Sequence, residues 1–494
     1  MIMTLNLMRW FVLVLAAVHE NKAAEIVYPR MLESRAEDGL KIVKISDDIT
    51  LNLRKSSVFS EEFFIHSTRD GVPIAYHMSG PEMEKYLYHD EERMASVHLS
   101  DEDGISIEGV VGDTLRIKPA EGMERSADGQ VPHTLYEVLY ADGVGPTNDD
   151  YAVPPTNDTG ITPESRRLIF TTGLRIPVFI HPEVYFVVDY TLCLALEFKE
   201  KEIARYVAVL ANSANLRYRS MVQPKVQLSV VGITVTKQPS DEPYMVKVVG
   251  YEATKNIIYG DTIRNFNNYV AQKSYFVTAD IIFLLTGMNM SRWENKKLIG
   301  NCGGFAYLAG ACTKWRVGMT EERAGSYYGV FVLAHELAHS LGCVHDGQGA
   351  DSWPAGHIGS ADCAYEKGYM MSYMYKTPYM YKFSQCCQRE VLNVYNRPAY
   401  ECLIVKNSIT TRIYSSKLPG EVSSLTTYCK QVYSSYTYVT ADKKYDMKKC
   451  IVRCYINQHG GNMLIGAVDG VHCDKRKVCV LGNCTSKPTI DKAE

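Results

Sequence analysis

The segment that most constrains this chain is the run HELAHSLGCVHD at residues 335–346. His335 and His339 are four positions apart, so on an α-helix they lie on one face, one turn apart. Gly342 follows, where a residue that can adopt a positive φ can stop the helix and turn the chain back toward His345. The spacing therefore predicts three imidazoles directed at one metal ion, with one coordination position left open.

An open position is typical of a catalytic zinc ion, because a structural zinc is closed by a fourth protein ligand. Glu336 is offset by one position from the first histidine, so it can address a water on the ion instead of the ion. We interpret His335, His339 and His345 as ligands of one Zn²⁺ and Glu336 as the catalytic base. Two solvated histidines on an amphipathic helix are the alternative. That alternative does not explain a glycine and a third histidine at set offsets in a chain with 13 histidines.

These residues resemble the metzincin zinc endopeptidases. Asp346, directly after the third histidine, points to the reprolysin branch, which includes snake-venom and ADAM-like enzymes. Other segments are similar to that family, namely DIIFLLT at 280–286, GFAYLAGAC at 304–312, GYMMSY at 368–373 and FSQC at 383–386. The matches span most of residues 175–402. With the tyrosine-rich tail, the resemblance is nearest to secreted metalloproteases of tick salivary glands.

The resemblance implies roles for residues around the histidines. Asp346 would hold the metal-binding loop without touching the ion. Met371 would be the methionine that packs beneath the zinc, with Met370, one register away, as the alternative. Tyr373 would form a wall of the substrate pocket, and a contact to the metal or the oxyanion is the less favoured alternative.

A second set of implied roles concerns substrate and calcium. An edge strand that pairs with an extended peptide substrate is expected at Gly304, Phe305, Ala306, Tyr307 and Leu308. The alternative is a capped edge without a ligand. Glu183 lies where the family places a calcium ligand, so Ca²⁺ is a second candidate cofactor. The other expected ligand is out of register, because Asn407 lies too far beyond Cys402.

Length and composition set the outer limits. The 494 residues leave room for about two to four domains. Residues 1–24 are the predicted signal peptide, with the apolar core WFVLVLAAV at 10–18. No later run reaches the roughly 20 apolar residues of a membrane span, so we expect a secreted protein. A formal net charge of −3 gives no electrostatic reason to expect a nucleic acid partner.

Three further regions follow the signal peptide. Residues 25–167 lack cysteine and alternate apolar with polar positions, as a β-rich propeptide would, and 141–165 has the composition of an exposed linker. Residues 168–407 should form an α/β catalytic domain, a twisted sheet with an active-site helix, because strand-like, helical and strand-like runs succeed one another. Residues 408–494 should be a disulfide-rich module.

The propeptide offers no cysteine, so a propeptide thiolate on the zinc is excluded as the source of latency. A propeptide carboxylate and simple steric cover remain as alternatives. The pair Arg166-Arg167 is a candidate processing site, and a solvated charged pair is an equally good interpretation.

The 14 cysteines form two even-numbered blocks, eight up to Cys402 and six beyond it. Even numbers suit four and three disulfides in an oxidising compartment. The family resemblance implies that Cys312 pairs with Cys386 or Cys387. The paired CxxC spacing of a cysteine zinc site is missing from the sequence.

An active secreted zinc endopeptidase that cleaves extracellular proteins is the function these patterns favour. A catalytically idle binding protein acting through its cysteine-rich tail on matrix or host proteins is the main alternative, and the presence of Glu336 argues against it. A zinc aminopeptidase or another HExxH hydrolase would not usually need the GxxHD extension. Candidate glycan sites are Asn157, Asn289 and Asn483.

Overall fold

The computed structural model describes residues 24–34, 39–69, 72–138, 150–155, 177–300, 302–372, 374, 377–406, 424–433, 436–442, 444–467, 470–480 and 483–486. The predicted signal-peptide core, the Arg166-Arg167 pair, Asn157, Tyr373 and Asn407 lie outside these residues. Within them, no helix combines the length and apolar character needed to cross a membrane.

The N-terminal region is built mainly from strands, as its alternating pattern predicted, with one short helix, α1 (Gly80–Met83). The strands are β1 (Glu25–Val27), β2 (Arg30–Ser34), β3 (Lys41–Lys44), β4 (Thr50–Lys55), β5 (Phe59–Arg69), β6 (Val72–Ser79), β7 (Leu87–Asp90), β8 (Ala95–Ser100), β9 (Ser106–Val111), β10 (Leu115–Pro119), β11 (His133–Glu137) and β12 (Tyr151–Ala152). Nine of these form one sheet in the order β1-β11-β10-β9-β8-β7-β4-β3-β2. Val43, Leu53 and Val97 belong to its apolar core.

The catalytic region alternates strands with helices. Its helices are α2 (Tyr190–Ala195), α3 (Glu200–Tyr218), α4 (Tyr259–Ala271), α5 (Gly329–Ser340) and α6 (Gln385–Tyr395). Its strands are β13 (Phe179–Ile180), β14 (Glu183–Val188), β15 (Lys225–Val226), β16 (Ser229–Val235), β17 (Asn256–Ile258), β18 (Ile281–Thr286), β19 (Asn289–Glu294), β20 (Lys297–Ile299), β21 (Gly304–Tyr307) and β22 (Val317–Glu321). The predicted βαβ unit is β14, α3 and β16, in which the two strands pair in parallel.

The central sheet has the order β12-β21-β22-β18-β14-β16-β5-β6. Every residue of β14 and β18 is buried. Continuous apolar strands of this kind are expected where both faces of a parallel sheet are covered. The α/β fold class is therefore confirmed. Of the strands that the catalytic region itself contributes, β21 is the outermost on one side and β16 on the other.

Strands from the N-terminal region complete this sheet on both sides. On one side β5 pairs in parallel with β16, with Ile65 opposite Ile233, and β6 pairs with β5. On the other side β12 pairs in parallel with β21. Phe63 and Ile65 are buried in the same apolar core as Phe186. The predicted propeptide thus shares a sheet and a core with the predicted catalytic domain, and the boundary at residue 167 stays a prediction.

The disulfides correct two expectations for the catalytic region. The bonds are Cys312–Cys402, Cys343–Cys387 and Cys363–Cys386. The expected pairing of Cys312 with Cys386 or Cys387 is wrong, because these two neighbours on α6 reach two other cysteines. The expected fourth bond is also wrong, since Cys193 and Cys302 are buried free thiols.

The C-terminal region forms a small disulfide-bonded module, as predicted. It contains α7 (Leu425–Val432), β23 (Thr440–Ala441), β24 (Ile451–Tyr455), β25 (Asn462–Gly466), β26 (His472–Asp474), β27 (Lys477–Val480) and β28 (Asn483–Ser486). The three expected bonds are present, namely Cys429–Cys454, Cys450–Cys479 and Cys473–Cys484. Because its apolar core is small, cross-links of this kind supply much of the stability of such a module.

Candidate metal centre and active site

The helix that carries the first two histidines is α5, and both of its ends are fixed by contacts. At its start, the Glu322 carboxylate accepts hydrogen bonds from the backbone N–H groups of Gly329 (3.0 Å) and Arg323 (2.7 Å). Beyond its end, Gly342 has a φ of +107°, and a Cβ there would lie 2.4 Å from Val394 Cγ2. The predicted glycine reversal is therefore confirmed, and only glycine fits it.

The reversal brings the three histidines together. His335 Nε2 lies 3.1 Å from His339 Nε2. The ring of His345 lies 5.4 Å from that of His335 and 4.8 Å from that of His339, centroid to centroid. Each of the three is at most 1% exposed. The convergence that the spacing predicted is thus present in the fold.

Hydrogen bonds orient two of these rings toward a shared point. His335 Nδ1 lies 2.8 Å from the Met370 carbonyl oxygen, and His339 Nδ1 lies 2.7 Å from that of Cys343. A carbonyl only accepts, so each Nδ1 carries the proton and each Nε2 presents a lone pair. Burial lowers the pKa of His339 to about 4, which keeps this ring neutral, as a metal ligand must be.

A fourth potential ligand, Asp150, closes the group. Its Oδ2 lies 3.1 Å from His335 Nε2, and its Oδ1 lies 3.1 Å from His345 Nε2 and 3.4 Å from His339 Nε2. In a tetrahedral zinc site with bonds of about 2.0–2.1 Å, ligand atoms are about 3.3 Å apart. These distances and this donor set therefore fit a zinc ion.

Of the expected exposed linker at 141–165, the structure describes residues 150–155, and for 150–154 the expectation of exposure is wrong. Asp150 is 0% exposed, and the strand that follows it, β12, pairs with β21. The N–H of Ala306 donates to the Asp150 carbonyl at 3.1 Å, and the N–H of Leu308 donates to the Ala152 carbonyl at 2.9 Å. The expected substrate strand is thus paired with the chain's own residues, which bury the polar segment by satisfying its backbone groups.

Glu336 lies beside this strand. It is 0% exposed, and its two carboxylate oxygens accept no hydrogen bond from any residue the structure describes. Burial first, and then the charge of Asp150, raises the pKa of Glu336 well above its usual value. A Cβ on Gly304 would lie 2.4 Å from Glu336 Cγ and 2.6 Å from its Oε1. Because Gly304 has no side chain, the Glu336 carboxylate can lie against the strand at this position.

The loop that holds His345 is tied to residues far along the chain. The Asp346 N–H donates to the Met371 carbonyl at 2.9 Å, and Asp346 Oδ1 accepts from the Ser384 hydroxyl at 2.5 Å. Burial raises the pKa of Asp346 to about 6. Met370 and Met371 are both fully buried and both offer a carbonyl to this region. The assignment of Met371 as the methionine beneath the ion, with Met370 as the alternative, stays a prediction.

Sequence reasoning missed Asp150 and also Glu390. Glu390, on α6 and 0% exposed, accepts from the Val344 N–H (3.2 Å) and the Ser360 hydroxyl (2.9 Å) and lies 3.1 Å from His357 Nε2. It thereby supports the loop next to the third histidine. No local spacing signals either residue, because each reaches the site only through distant contacts.

The expected calcium ligand Glu183 is buried on β14. Its backbone N–H donates to Asp280 Oδ2 at 2.9 Å. Burial raises the pKa of Asp280 to about 8, and the charge of Glu183 acts in the same direction. Two neighbouring buried carboxylates do not by themselves make a cation site, so calcium stays a prediction. Asn289 and Asn483, the candidate glycan sites within the described residues, are exposed.

Residues 182–384 match the family described as Reprolysin_5, metallo-peptidase family M12. This segment contains the histidine motif, the expected substrate strand, and Met370 and Met371. The chain carries a reprolysin-type metallopeptidase domain. The reprolysin domain is that of a zinc metalloendopeptidase, so the family and the enzyme class predicted from the motif are confirmed.

Relatives of the reprolysin domain extend over most of the chain. The chain is 25% identical to "Venom metalloproteinase BumaMPs1" of Olivierus martensii, covering 77% of this chain and 92% of that protein. It is 26% identical to "Venom metalloproteinase antarease TserMP_A" of Tityus serrulatus, covering 80% and 96%. It is 25% identical to "A disintegrin and metalloproteinase with thrombospondin motifs like" of Bombyx mori, covering 63% and 45%. The narrower resemblance to tick enzymes stays a prediction.

Proposed function

We propose that this chain is the precursor of a secreted zinc endopeptidase in which His335, His339 and His345 hold the ion and Glu336 is the general base. One observation carries the proposal. Three imidazoles, two of them fixed through Nδ1 by backbone carbonyls, converge beside a buried carboxylate that accepts no hydrogen bond from any residue the structure describes. Such an arrangement suits a metal ion and a water-derived proton better than it suits a purely structural core.

The chemistry divides between the ion and the chain. A bound zinc ion supplies a Lewis acid that lowers the pKa of a coordinated water to about 7 and polarises a carbonyl. Glu336 accepts the proton of the attacking water on its carboxylate and delivers it to the nitrogen of the departing amine. Burial and then the charge of Asp150 raise the pKa of this carboxylate, which makes it a stronger proton acceptor.

The substrate backbone is proposed to pair with β21. The N–H groups of Ala306 and Leu308 point outward from the strands of the catalytic region. In this structure they donate to Asp150 and Ala152, beside and within β12, which lies where the substrate would pair. An extended peptide in that place would lie next to Glu336, because the carboxylate packs against Gly304. Proton delivery would then occur beside the scissile bond.

Asp346 and Met371 are proposed to position the third ligand. The bond from Ser384 ties the Asp346 carboxylate to the start of α6, and the Met371 carbonyl holds its N–H. Secretion is supported by the disulfides, which persist in oxidising compartments, and by the venom proteins among the relatives. Extracellular proteins or peptides are the proposed substrates, with the C-terminal module as a candidate surface for matrix or host proteins.

The test is hydrolysis of casein or gelatin by processed enzyme, with and without a chelator. Glu336→Ala should lower the rate by about 10²–10⁴-fold while zinc content stays at one ion per chain. Glu401→Ala, an exposed carboxylate of the same domain, is the matched control and should keep full activity. Equal rates for parent and Glu336→Ala would remove the assigned base. A zinc-loaded parent without any hydrolysis would favour the idle binding protein.

A further inference from the structure

We propose that Asp150 is the fourth protein ligand of the zinc ion in the unprocessed chain and that residues 150–153 occupy the substrate's place on β21. The inference rests on the proposed function, since it requires the three histidines to hold zinc. It assigns latency in a propeptide without cysteine to a carboxylate ligand, in addition to cover of the substrate strand.

The geometry of Asp150 is that of a ligand. Its two oxygens lie 3.1–3.4 Å from the three Nε2 atoms, close to the spacing expected around a tetrahedral zinc. Carboxylate oxygen is an ordinary zinc ligand, and a site with four protein ligands has no position left for a water. A carboxylate buried this deeply is costly unless it faces positive charge, which the ion supplies.

The residues after Asp150 fill the cleft. The carbonyls of Asp150 and Ala152 accept from the N–H groups of Ala306 and Leu308, the donors assigned to the substrate backbone. The Tyr151 ring lies 4.7 Å from the His339 ring, and its hydroxyl donates to Gln348 Oε1 at 3.2 Å. One short segment therefore contacts the metal ligands, the edge strand and the loop beyond the third histidine.

The rest of the propeptide holds this segment in place. Arg116, which is 0% exposed, donates from Nε to the Ser326 carbonyl at 2.7 Å and from Nη2 to the Tyr327 carbonyl at 3.3 Å, just before α5. Strand β5 extends the catalytic sheet on its far side. Such anchoring keeps the effective concentration of the Asp150 carboxylate high at the ion. Cleavage at Arg166-Arg167 alone would leave Asp150 joined to the docked propeptide, so activation also requires the propeptide to leave.

The decisive measurement is metal retention in the full-length precursor carrying Glu336→Ala, which prevents proteolysis. Zinc transfer to a chromogenic chelator should be about tenfold faster or more in Asp150→Ala, because a ligand is lost. Asp128→Ala removes an exposed carboxylate from the same propeptide and should leave the rate unchanged. In cobalt-loaded precursor, the visible spectrum should change with Asp150→Ala and not with Asp128→Ala.

A second arm keeps Glu336 and follows a short fluorogenic peptide. Uncleaved Asp150→Ala precursor should hydrolyse it at least about tenfold faster than uncleaved parent, since loss of the ligand opens a coordination position and weakens the hold of residues 150–153 on β21. Equal zinc transfer in Asp150→Ala and Asp128→Ala would overturn the ligand proposal even if processed enzyme is active. Faster transfer without hydrolysis by any form, processed enzyme included, would support the ligand and overturn the proposed function. Should Asp150→Ala not fold, the isosteric Asp150→Asn is measured instead, with the same expected direction.

Discussion

The two sides of the metal centre are held by different means. The histidine side is built into the reprolysin domain through backbone carbonyls, the Cys343–Cys387 bond and the carboxylates of Asp346 and Glu390. The Asp150 side is held by two backbone hydrogen bonds to the edge strand and by its contact with the histidines. In the proposed precursor, the three histidines are therefore the permanent side of the coordination sphere, and Asp150 is the side delivered by a segment that can leave.

The two sides also differ in what holds their residues in position. Residues of the histidine side are enclosed by α3, α6 and the sheet, and close packing of this kind transmits any displacement. The delivered side depends on packing of the predicted propeptide, in which His66 contacts Tyr185 and Arg116 contacts Ser326 of the catalytic region. Changes on the first side should alter catalysis and stability, whereas changes on the second should alter latency.

The largest effect is expected from Gly304→Ala. The new Cβ would lie within 2.6 Å of Glu336 Cγ and Oε1, so the general base must move. A displacement of about 1 Å can reduce turnover by about 10²-fold, and we expect a loss of that order in kcat of processed enzyme with zinc content unchanged. Gly260→Ala, where a Cβ meets nothing within 4 Å, is the control. An unchanged kcat would show that the permanent side tolerates movement.

The next effect concerns the bond Cys343–Cys387, which closes a sequence separation of 44 residues beside the zinc loop. Replacing both cysteines with Ala should lower the unfolding free energy of the domain by about 4 kcal/mol, measured by urea titration. Removing Cys473–Cys484 from the C-terminal module should leave the catalytic transition in place.

The same bonds can be checked by thiol alkylation of the denatured, unreduced chain. Two free thiols are expected, at Cys193 and Cys302. A chain without free thiols would contain a fourth disulfide in the catalytic region, which would contradict the assignment of Cys193 and Cys302 as free.

A smaller effect should come from pH and should act on the docked propeptide. Nδ1 of His66, on β5, lies 2.6 Å from the Tyr185 hydroxyl, and burial lowers the pKa of His66 to about 4. An unfolded histidine titrates near 6.5, so the unfolded chain takes up a proton that the folded chain does not. Precursor stability is therefore lost as pH falls from about 6.5 to 4, by at most about 1.4 kcal/mol per pH unit for this residue.

Urea titration of the precursor across that window measures the slope. His66→Gln should lower the slope by up to about 1.4 kcal/mol per pH unit, whereas His77→Gln, at an exposed position on the neighbouring strand β6, should not change it. A slope that His66→Gln leaves unchanged would show that His66 does not contribute to the acid sensitivity.

The smallest effect is expected at Tyr373. If its ring is a pocket wall, Tyr373→Phe should change peptide turnover by less than about twofold, because no oxyanion contact is removed. A loss of tenfold or more would instead indicate that the Tyr373 hydroxyl contacts the oxyanion at the reacting carbonyl.

Much of the catalytic region was predictable because its signals are local. An active-site helix that ends before Gly342 was expected and is α5, Gly329–Ser340, since the histidine spacing and a glycine stop lie within a dozen residues. The βαβ unit around α3 followed from apolar runs of the right length. The pairing of Cys312 with Cys402 was not predictable, because connectivity depends on which elements the fold places together.

The sequence by itself determined the three-histidine part of the predicted metal site, since HELAHSLGCVHD specifies which imidazoles share a helix face and where the chain turns back. It also determined that no propeptide cysteine is available. Only the tertiary structure decided that Asp150 closes the site and that Glu390 supports it. Both residues reach the site through contacts between segments that are distant in sequence. A carboxylate in a Gly- and Pro-rich stretch is expected to be exposed, and only the pairing of β12 with β21 shows that Asp150 is buried.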